Sequence, residues 1–418
     1  QAEDGIRDRS PSRGLGDVYK RQKSNTALPK LNRRITIQEM GTFSDKLLIL
    51  MNDIREQMLA PRPRKRAPSY TISQLAQLCG VDRTRINYVI GKEDSTLPKG
   101  SLQGSGKSRV FTLAETQDWI RAESNILMRP EGVLGDIIVV ANFKGGSTKT
   151  TTAMSLAQGL TLRGKSVLVV DLDPQASLTE LCGMYAEQDV AEEDTVLPLI
   201  YGDEENLGYA VKETYWKNLY AIPAATPISA AEFAIPKKVM QDRNFPFWRI
   251  IGDGLQPLRE EFDYIIIDTS PSMSYLTING LMAGNAMVMP LVPESLDFIS
   301  STQFWGLFAD LCRTFANLEP NKAFDFVSVL LSKVDNGPSS AAPIVRSWSQ
   351  RAYGDWLLPV EIPLSSVVGS EALEFATIYD IENWPGGKKT LDRIRDPFDE
   401  FCKLVDEEFI VKWQGANK

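Results

Sequence analysis

Lys144-Gly145-Gly146-Ser147-Thr148-Lys149-Thr150 lies between an apolar run at 137–140 and a helix-like segment at 151–157. A strand, a glycine-containing loop and a helix in this order direct backbone N–H groups and the positive end of the helix dipole toward an anion. In such a loop Lys149 neutralises phosphate charge and the Thr150 hydroxyl ligates Mg²⁺. The stretch therefore predicts a phosphate-binding loop that holds a nucleotide and Mg²⁺.

The loop departs from the strict pattern G-x-x-x-x-G-K-[ST], because Phe143 and Thr148 occupy its glycine positions. The variant K-G-G-x-x-K-T is complete, and it carries two lysines. An ordinary glycine-rich turn is the alternative interpretation, but the flanking strand and helix favour the phosphate site. The predicted nucleotide-binding residues in this stretch are Lys144, Gly145, Gly146, Ser147, Thr148, Lys149, Thr150 and Thr151.

Carboxylates follow or end two further apolar runs. The run at 167–170 leads into Asp171 and Asp173, and the run at 264–267 leads into Asp268. Each aspartate alone is more typical of a helix cap or a turn. Open α/β sheets bind ligands at the carboxyl ends of their strands, so together with the loop the three aspartates predict one site. The fold expected from these motifs is α/β, with a doubly wound and mostly parallel sheet.

These motifs together resemble the ParA-type partition ATPases, the deviant Walker A group of P-loop NTPases. The chain is similar to the long form of that family, which has an N-terminal DNA-binding domain and includes the RepA proteins of replication-partition operons. The resemblance runs from about Asp136 to the C-terminus and includes the segments 218–224, 326–331 and 361–365. It implies an ATPase domain over residues 134–418.

The resemblance also implies how the metal and the attacking water are held. Thr150 is expected to bind Mg²⁺ directly. Asp171 and Asp268 are expected to hold its water ligands, because Mg²⁺ gives up water reluctantly. Asp173 is expected to orient the water that attacks ATP.

Two further roles are implied for residues that contact the nucleotide. Lys144 matches the signature lysine, which reaches the nucleotide of the facing subunit in an ATP-dependent homodimer; a solvated surface lysine is the alternative. Pro363 is expected to lie against the adenine, although a plain turn proline is nearly as common. The predicted catalytic residues are therefore Lys144, Lys149 and Asp173.

A basic segment precedes the ATPase motifs. Residues 61–110 carry ten basic and three acidic side chains, a net charge of +7, which leaves −15 for the rest of a chain with formal charge −8. Residues 70–90 have helix-turn-helix form, with Gly80 at the turn, and 99–110 predict a wing. We therefore expect a small α-helical winged helix-turn-helix domain over 61–130; a helical domain with a solvated basic face is the alternative. The predicted DNA-binding residues are Arg83, Thr84, Arg85, Asn87, Lys107 and Arg109.

The N-terminal region divides into two parts. Apolar residues recur at helical spacing between Phe43 and Leu59, which predicts an amphipathic helix within residues 23–60. By resemblance this helix contributes to dimerisation, and packing on its own domain is the alternative. Residues 17–22 look like a translated sequencing adapter, so we interpret residues 1–22 as a non-native or disordered tail.

Composition narrows the function classes. The 418-residue chain contains no histidine, which excludes catalysis and metal binding by histidine. It has no apolar run of about 18 residues and no secretory pattern, so we expect no transmembrane helix and a cytoplasmic protein. The resemblance implies association with the nucleoid and no membrane contact. The widely spaced cysteines, each in an apolar context, predict buried thiols. They are Cys79, Cys182, Cys312 and Cys402.

The leading hypothesis is an ATP-dependent DNA partition protein. It is expected to be a weak, partner-stimulated ATPase that uses ATP and Mg²⁺, dimerises on ATP, binds operator and non-specific DNA, represses its own operon and works with a ParB-type centromere-binding protein. A MinD-like membrane-cycling ATPase is an alternative, but its C-terminal helix should be basic, whereas 396–409 is rich in Asp and Glu. A nucleotide-responsive regulator without significant hydrolysis is the other alternative, against which the intact Lys149, Asp173 and Asp268 argue.

Overall fold

The computed structural model describes residues 36–59, 65–103, 108–365, 376–382 and 387–416. The chain divides into two compact units, residues 1–63 and 64–418. Helix α1 (Ile37–Leu59) belongs to the first unit and begins six residues before the predicted start at Phe43. Its side chains at Phe43, Leu47 and Leu50 are between 43% and 56% exposed. The tail proposed for residues 1–22 lies outside the described residues.

The second unit opens with a small helical region. Its two helices α2 and α3 occupy the positions predicted for the helix-turn-helix, and Gly80, with φ of +68°, ends α2 in the left-handed conformation that glycine favours. Strand β3 pairs antiparallel with both β1 and β2, so β2 and β3 occupy the predicted wing. The elements are β1 (Tyr70–Thr71), α2 (Ile72–Cys79), α3 (Arg83–Gly91), β2 (Ser101–Gln103), β3 (Ser108–Phe111) and α4 (Leu113–Glu123).

An eight-stranded sheet follows. Its strands are β4 (Asp136–Val140), β5 (Val167–Leu172), β6 (Lys212–Glu213), β7 (Leu219–Ile222), β8 (Tyr264–Thr269), β9 (Ala286–Leu291), β10 (Phe326–Val334) and β11 (Leu357–Pro363). Their order is β11-β10-β9-β4-β8-β5-β7-β6, and every neighbouring pair is parallel except β6 and β7. The predicted doubly wound, mostly parallel sheet is therefore confirmed.

Helices cover both faces of this sheet. Side chains of a strand alternate between faces, and in β4 Ile138 and Val140 join one buried cluster while Ile137 and Val139 join the other. The first cluster includes side chains of α5 and α14, and the second includes side chains of α11 and α12. The helices are α5 (Lys149–Thr161), α6 (Ser177–Leu181), α7 (Leu197–Tyr201), α8 (Ala231–Gln241), α9 (Ile250–Leu255), α10 (Leu258–Glu261), α11 (Tyr275–Ala283), α12 (Ser295–Phe315), α13 (Ala342–Tyr353) and α14 (Lys388–Ala416).

The small helical region packs directly on the sheet domain. Gln117 Nε2 donates to the Lys217 carbonyl at 2.9 Å, and Arg121 Nε donates to the Gly164 carbonyl at 3.0 Å. Lys65 Nζ lies 2.9 Å from Asp380 Oδ2. The helical region and the sheet domain lie in the same compact unit, which begins at residue 64. The division into domains at 61–130 and 134–418 stays a prediction.

One expectation about the cysteines is wrong. Cys79, Cys182 and Cys402 are buried free thiols, as predicted, whereas Cys312 is exposed. In the last turns of α12, Leu311 packs against the core and Phe315 is buried. Cys312 lies at the edge of this face, about 100° from Leu311 around the helix, so its apolar sequence context did not give burial.

Among the described residues, no helix is both long enough and apolar enough to span a bilayer.

Candidate nucleotide-binding site

The predicted phosphate-binding loop connects β4 to α5, and α5 begins at Lys149. Gly146 and Thr148 have φ of +75° and +69°. Thr148 therefore adopts the left-handed conformation for which the strict pattern supplies a glycine, and a β-branched residue is strained there. Its hydroxyl donates to Ser332 Oγ at 2.9 Å, which ties the loop to β10. At the other substituted position, the Phe143 ring packs against Phe304, with centroids 4.8 Å apart.

Asn142 holds the base of the loop. Its Oδ1 accepts the Lys144 N–H at 3.0 Å, and its Nδ2 donates to the Pro290 carbonyl at 2.8 Å. Lys149 Nζ donates to the Lys144 carbonyl at 3.3 Å, so its ammonium lies against the loop backbone. Burial lowers the pKa of Lys149, and the Asp268 carboxylate opposes that shift. The loop thus contains a buried cation with weak local partners, which suits an incoming phosphate.

The first turn of α5 contacts the carboxylate of β8. Thr150 Oγ1 donates to Asp268 Oδ2 at 2.6 Å. Asp171 is the register partner of Asp268 on the neighbouring strand β5. Burial raises the pKa of Asp171 to about 6, and burial together with the charge of Asp171 raises the pKa of Asp268. Two buried carboxylates side by side favour a cation in their vicinity.

The two carboxylates differ in how they are satisfied. Both Asp171 oxygens accept hydrogen bonds, from the Asp173 N–H at 3.0 Å and from the Thr179 N–H and hydroxyl at 2.9 and 2.8 Å. Asp268 Oδ1 is buried without a hydrogen-bond partner among the described residues, and so is Ser147 Oγ. An unsatisfied buried carboxylate oxygen is costly. Asp268 and Thr150 therefore fit Mg²⁺ or its water ligands. Asp171 fixes the loop after β5, and its role with the water ligands of Mg²⁺ stays a prediction.

Asp173 and Pro363 lie at the same carboxyl edge of the sheet. Asp173 is half-buried just after β5, and its Oδ1 accepts the Gln175 N–H at 3.0 Å. Pro363 ends β11 and is the register partner of Val334. Because β9 and β10 separate β11 from β4, Pro363 stands at the far side of the loop from Asp268. Water orientation by Asp173 and adenine contact by Pro363 stay predictions.

The two lysines of the loop have different surroundings. Lys149 is buried, whereas the Lys144 side chain is 39% exposed and its Nζ lies 3.9 Å from Asp297 Oδ2 in the first turn of α12. Burial raises the pKa of Asp297, and the Lys144 ammonium opposes that shift. The Lys144 ammonium is thus held at the surface of its own subunit by a weak ion pair.

The predicted DNA-binding residues differ in their exposure and in their partners. Arg83, Thr84 and Asn87 are exposed on α3. Arg85 is exposed but forms a bidentate ion pair with Glu123 of α4, at 2.8 and 3.0 Å. Arg109 Nη1 donates to the Lys99 carbonyl at 2.8 Å, so it braces the base of the wing. Lys107 falls in 104–107, outside the described residues.

Comparisons with known proteins show what the chain is similar to. A family model described as an AAA domain matches residues 135–317. A Sinorhizobium fredii protein that carries the name "Putative replication protein A" is 27% identical over 388 residues, which cover 90% of this chain and 94% of the relative. The chromosome-partitioning ATPase Soj of Treponema pallidum is 35% identical over 161 residues, 38% of this chain and 58% of Soj. A solved structure of a partition protein superposes with a TM-score of 0.63 and 17% identity over 90% of this chain and 98% of that one, a likeness in fold.

The parallel sheet, the loop after β4 and the carboxylates of β5 and β8 define a P-loop ATPase. Within that class the chain is similar to the ParA-type partition ATPases, the deviant Walker A group.

Proposed function

We propose that the protein binds ATP and Mg²⁺ at residues 144–151 and hydrolyses ATP slowly to drive DNA partition. The observation that carries this proposal is the 2.6 Å contact between Thr150 and Asp268 beside the buried Lys149. Phosphoryl transfer to water requires positioning and charge stabilisation more than covalent chemistry from the protein. A preformed loop with a cation on one side and carboxylates on the other provides both.

The residues of the site divide this work. Lys149 and the loop N–H groups bind the phosphates, and Thr150 and Asp268 hold Mg²⁺, which supplies charge neutralisation at the phosphates when bound. Asp171 keeps the loop after β5 in place through Thr179 and Asp173. Asp173 then holds the attacking water. Assays of ATP turnover with and without Mg²⁺ and DNA test this function, and a chain that bound no nucleotide in the presence of Mg²⁺ would refute it.

We extend the proposal to a homodimer. The apolar side chains at Phe43, Leu47 and Leu50 are exposed along α1, which suits a dimer contact. ATP is proposed to add a second contact, in which Lys144 leaves Asp297 and reaches the phosphates of the partner subunit. The ion pair that it leaves is long, at 3.9 Å, and its Lys144 end is exposed, although Asp297 is buried. The Lys333 ammonium also opposes the rise in the pKa of Asp297 that burial causes, so a second cation near this carboxylate remains when Lys144 leaves.

Lys144→Ala is expected to retain nucleotide binding and to lose the ATP-specific state. ATP shifts a conformational equilibrium only through contacts that differ between the states, and a lysine–phosphate contact between subunits exists in just one of them. The measurement is binding to non-specific DNA with ATP and with ADP. Mass alone does not report the change, because α1 is expected to keep the variant dimeric. An undiminished preference for ATP would remove this role from Lys144.

The proposal assigns operator binding to the helical region at 61–130. Residues 61–110 within it carry a net charge of +7, and Arg83, Thr84 and Asn87 are exposed along α3. A basic surface gains affinity for DNA by releasing counterions. We further propose that operator binding represses the protein's own operon, that a ParB-type protein stimulates hydrolysis, and that the protein acts in the cytoplasm on the nucleoid.

Arg83→Ala combined with Arg85→Ala is expected to weaken operator binding by about 10-fold or more and to reduce the salt slope by up to about 2. Arg85→Ala alone should have the smaller effect, because its guanidinium is engaged by Glu123. Binding isotherms of the full chain across a salt series measure both quantities, with Arg313→Ala as control, since Arg313 is an exposed arginine on α12. If the double variant binds as tightly as the parent at every salt concentration, the recognition helix is elsewhere.

The membrane-cycling alternative is weaker. Its C-terminal helix must offer an apolar face to lipid. In α14 that face is buried in the core, through Phe398, Phe401, Phe409 and Trp413. The packed helix therefore supports partition on DNA over cycling on a membrane.

A further inference from the structure

Strand β10 contains a backbone outlier beside the nucleotide site. Lys333 has φ of +51°, in the left-handed region that residues other than glycine rarely adopt. The residue before it, Ser332, is buried, and Val334 pairs with Pro363 of β11. The strand is thus held on both sides of the outlier, which keeps the unfavourable conformation in place. Such outliers occur preferentially at functional sites.

Two adjacent residues of β10 hold two residues of the phosphate-binding loop. Lys333 Nζ donates to the Gly146 carbonyl at 3.2 Å, and Ser332 Oγ accepts the Thr148 hydroxyl at 2.9 Å. The Lys333 ammonium is also close enough to Asp297 to lower the pKa of that carboxyl, which burial raises. Lys333 therefore lies on the outer side of the loop, near Asp297, whereas Lys149 contacts the carbonyl of Lys144.

The bond to the Gly146 carbonyl fixes a peptide plane. In a trans peptide the C=O and the following N–H point in opposite directions. Holding the Gly146 carbonyl toward Lys333 therefore directs the Ser147 N–H to the other side of the loop. Ser147 is buried there, and its Oγ has no partner among the described residues. An N–H fixed in this direction is prepared for an anion before the anion arrives.

We infer that Lys333 is a positioning residue for nucleotide binding, which orients the Gly146–Ser147 peptide so that its N–H faces the phosphate. The inference rests on the proposed nucleotide site and adds a residue from a distant strand to it. The gain is preorganisation: a loop already held in its binding conformation loses less entropy when the phosphate binds. Glycine at position 146 makes this orientation accessible, because its φ is +75°.

Three substitutions separate the effect of the Lys333 ammonium from the effect of its strained backbone conformation. Lys333→Met removes the ammonium and keeps the strain, Lys333→Arg keeps a cation, and Lys333→Gly removes the ammonium and relieves the strain. We expect Lys333→Met to bind ATP and ADP about 3–10-fold more weakly, by equal factors, because the loop N–H groups serve phosphates common to both. Lys333→Arg should restore both affinities to within about twofold. Lys333→Gly should bind nucleotide as weakly as Lys333→Met does. Its melting temperature should be about 1–3 °C above that of Lys333→Met, because the left-handed backbone conformation favours glycine.

Hydrogen exchange of the nucleotide-free protein gives a readout independent of ligand. In Lys333→Met the amides of residues 145–148 should exchange about 3–10-fold faster than in the parent, and in Lys333→Arg at the parental rate. Unchanged exchange in Lys333→Met would overturn the inference, as would an affinity loss confined to ATP, which would point to direct contact with the terminal phosphate. A parent chain that bound no nucleotide would refute the proposed function instead, and the exchange rates would still decide the role of Lys333.

Discussion

Lys149→Ala is expected to weaken ATP binding by about 100-fold or more. Lys149 is 7% exposed. Burial lowers its pKa, although the charge of the Asp268 carboxylate raises it. A buried ammonium bound to phosphate oxygens forms charge-assisted hydrogen bonds, each worth about 1.5–3 kcal/mol, whereas the other lysine of the loop, Lys144, is paired with Asp297. Titration of the Mg²⁺-loaded protein with a fluorescent ATP analogue measures the loss. Unchanged affinity would remove Lys149 from the phosphate site.

Two further variants serve as controls for this experiment. Lys212→Ala removes a lysine that is ion-paired with Asp194 near the far edge of the sheet, and it should bind ATP like the parent. Asp173→Ala should also retain binding but slow hydrolysis, because its proposed role is to hold the attacking water. If Asp173→Ala lost binding and hydrolysis together, Asp173 would belong to the nucleotide-binding residues instead.

The sequence was sufficient to predict the sheet and the centre of the site. Each of β4, β5 and β8 is a continuous apolar run that is buried on both faces, which is typical of parallel strands between helix layers. In β5 and β8 the carboxylates come near the carboxyl ends, so the topology alone brings Asp171 and Asp268 together as register partners. Local sequence patterns were sufficient here, because the polar residues of the site lie at the end of each strand or directly after it in the chain.

The residues that support the site were missed for a physical reason. Ser332 and Lys333 contact Thr148 and Gly146 across more than 180 positions of sequence, and no local pattern reports such a contact. The left-handed conformation of Thr148 and Lys333 could not be predicted from the sequence either, because threonine and lysine seldom adopt it. Of these residues, only Asn142 could have been recognised from the sequence. A polar side chain that follows a buried strand often forms a hydrogen bond with the neighbouring backbone, as Asn142 does with Lys144.

A buried ionic network lies at the opposite end of the ATPase core. Asp406 of α14 is fully buried and accepts hydrogen bonds from Arg163 Nε and Tyr264 Oη, each at 2.8 Å. Lys165, also fully buried, lies 3.3 Å from Asp406 and donates to the Leu127 carbonyl. Burial lowers the pKa of Lys165, and Asp406 opposes that shift. The network joins α14, the turn after α5 and the segment that leads from the helical region to β4.

Asp406→Ala is therefore expected to destabilise the protein by about 3–5 kcal/mol, because it leaves Lys165 charged and buried without its counter-ion. The free energy of unfolding from urea denaturation measures this cost. A matched double variant, Asp406→Leu with Lys165→Met, removes both charges and should recover much of the loss, because apolar side chains of similar volume tolerate the same burial. If Asp406→Ala unfolded at the parental urea concentration, the buried pair would contribute nothing. If the double variant were no more stable than Asp406→Ala, the loss would come from the bonds to Arg163 and Tyr264 rather than from an unpaired lysine.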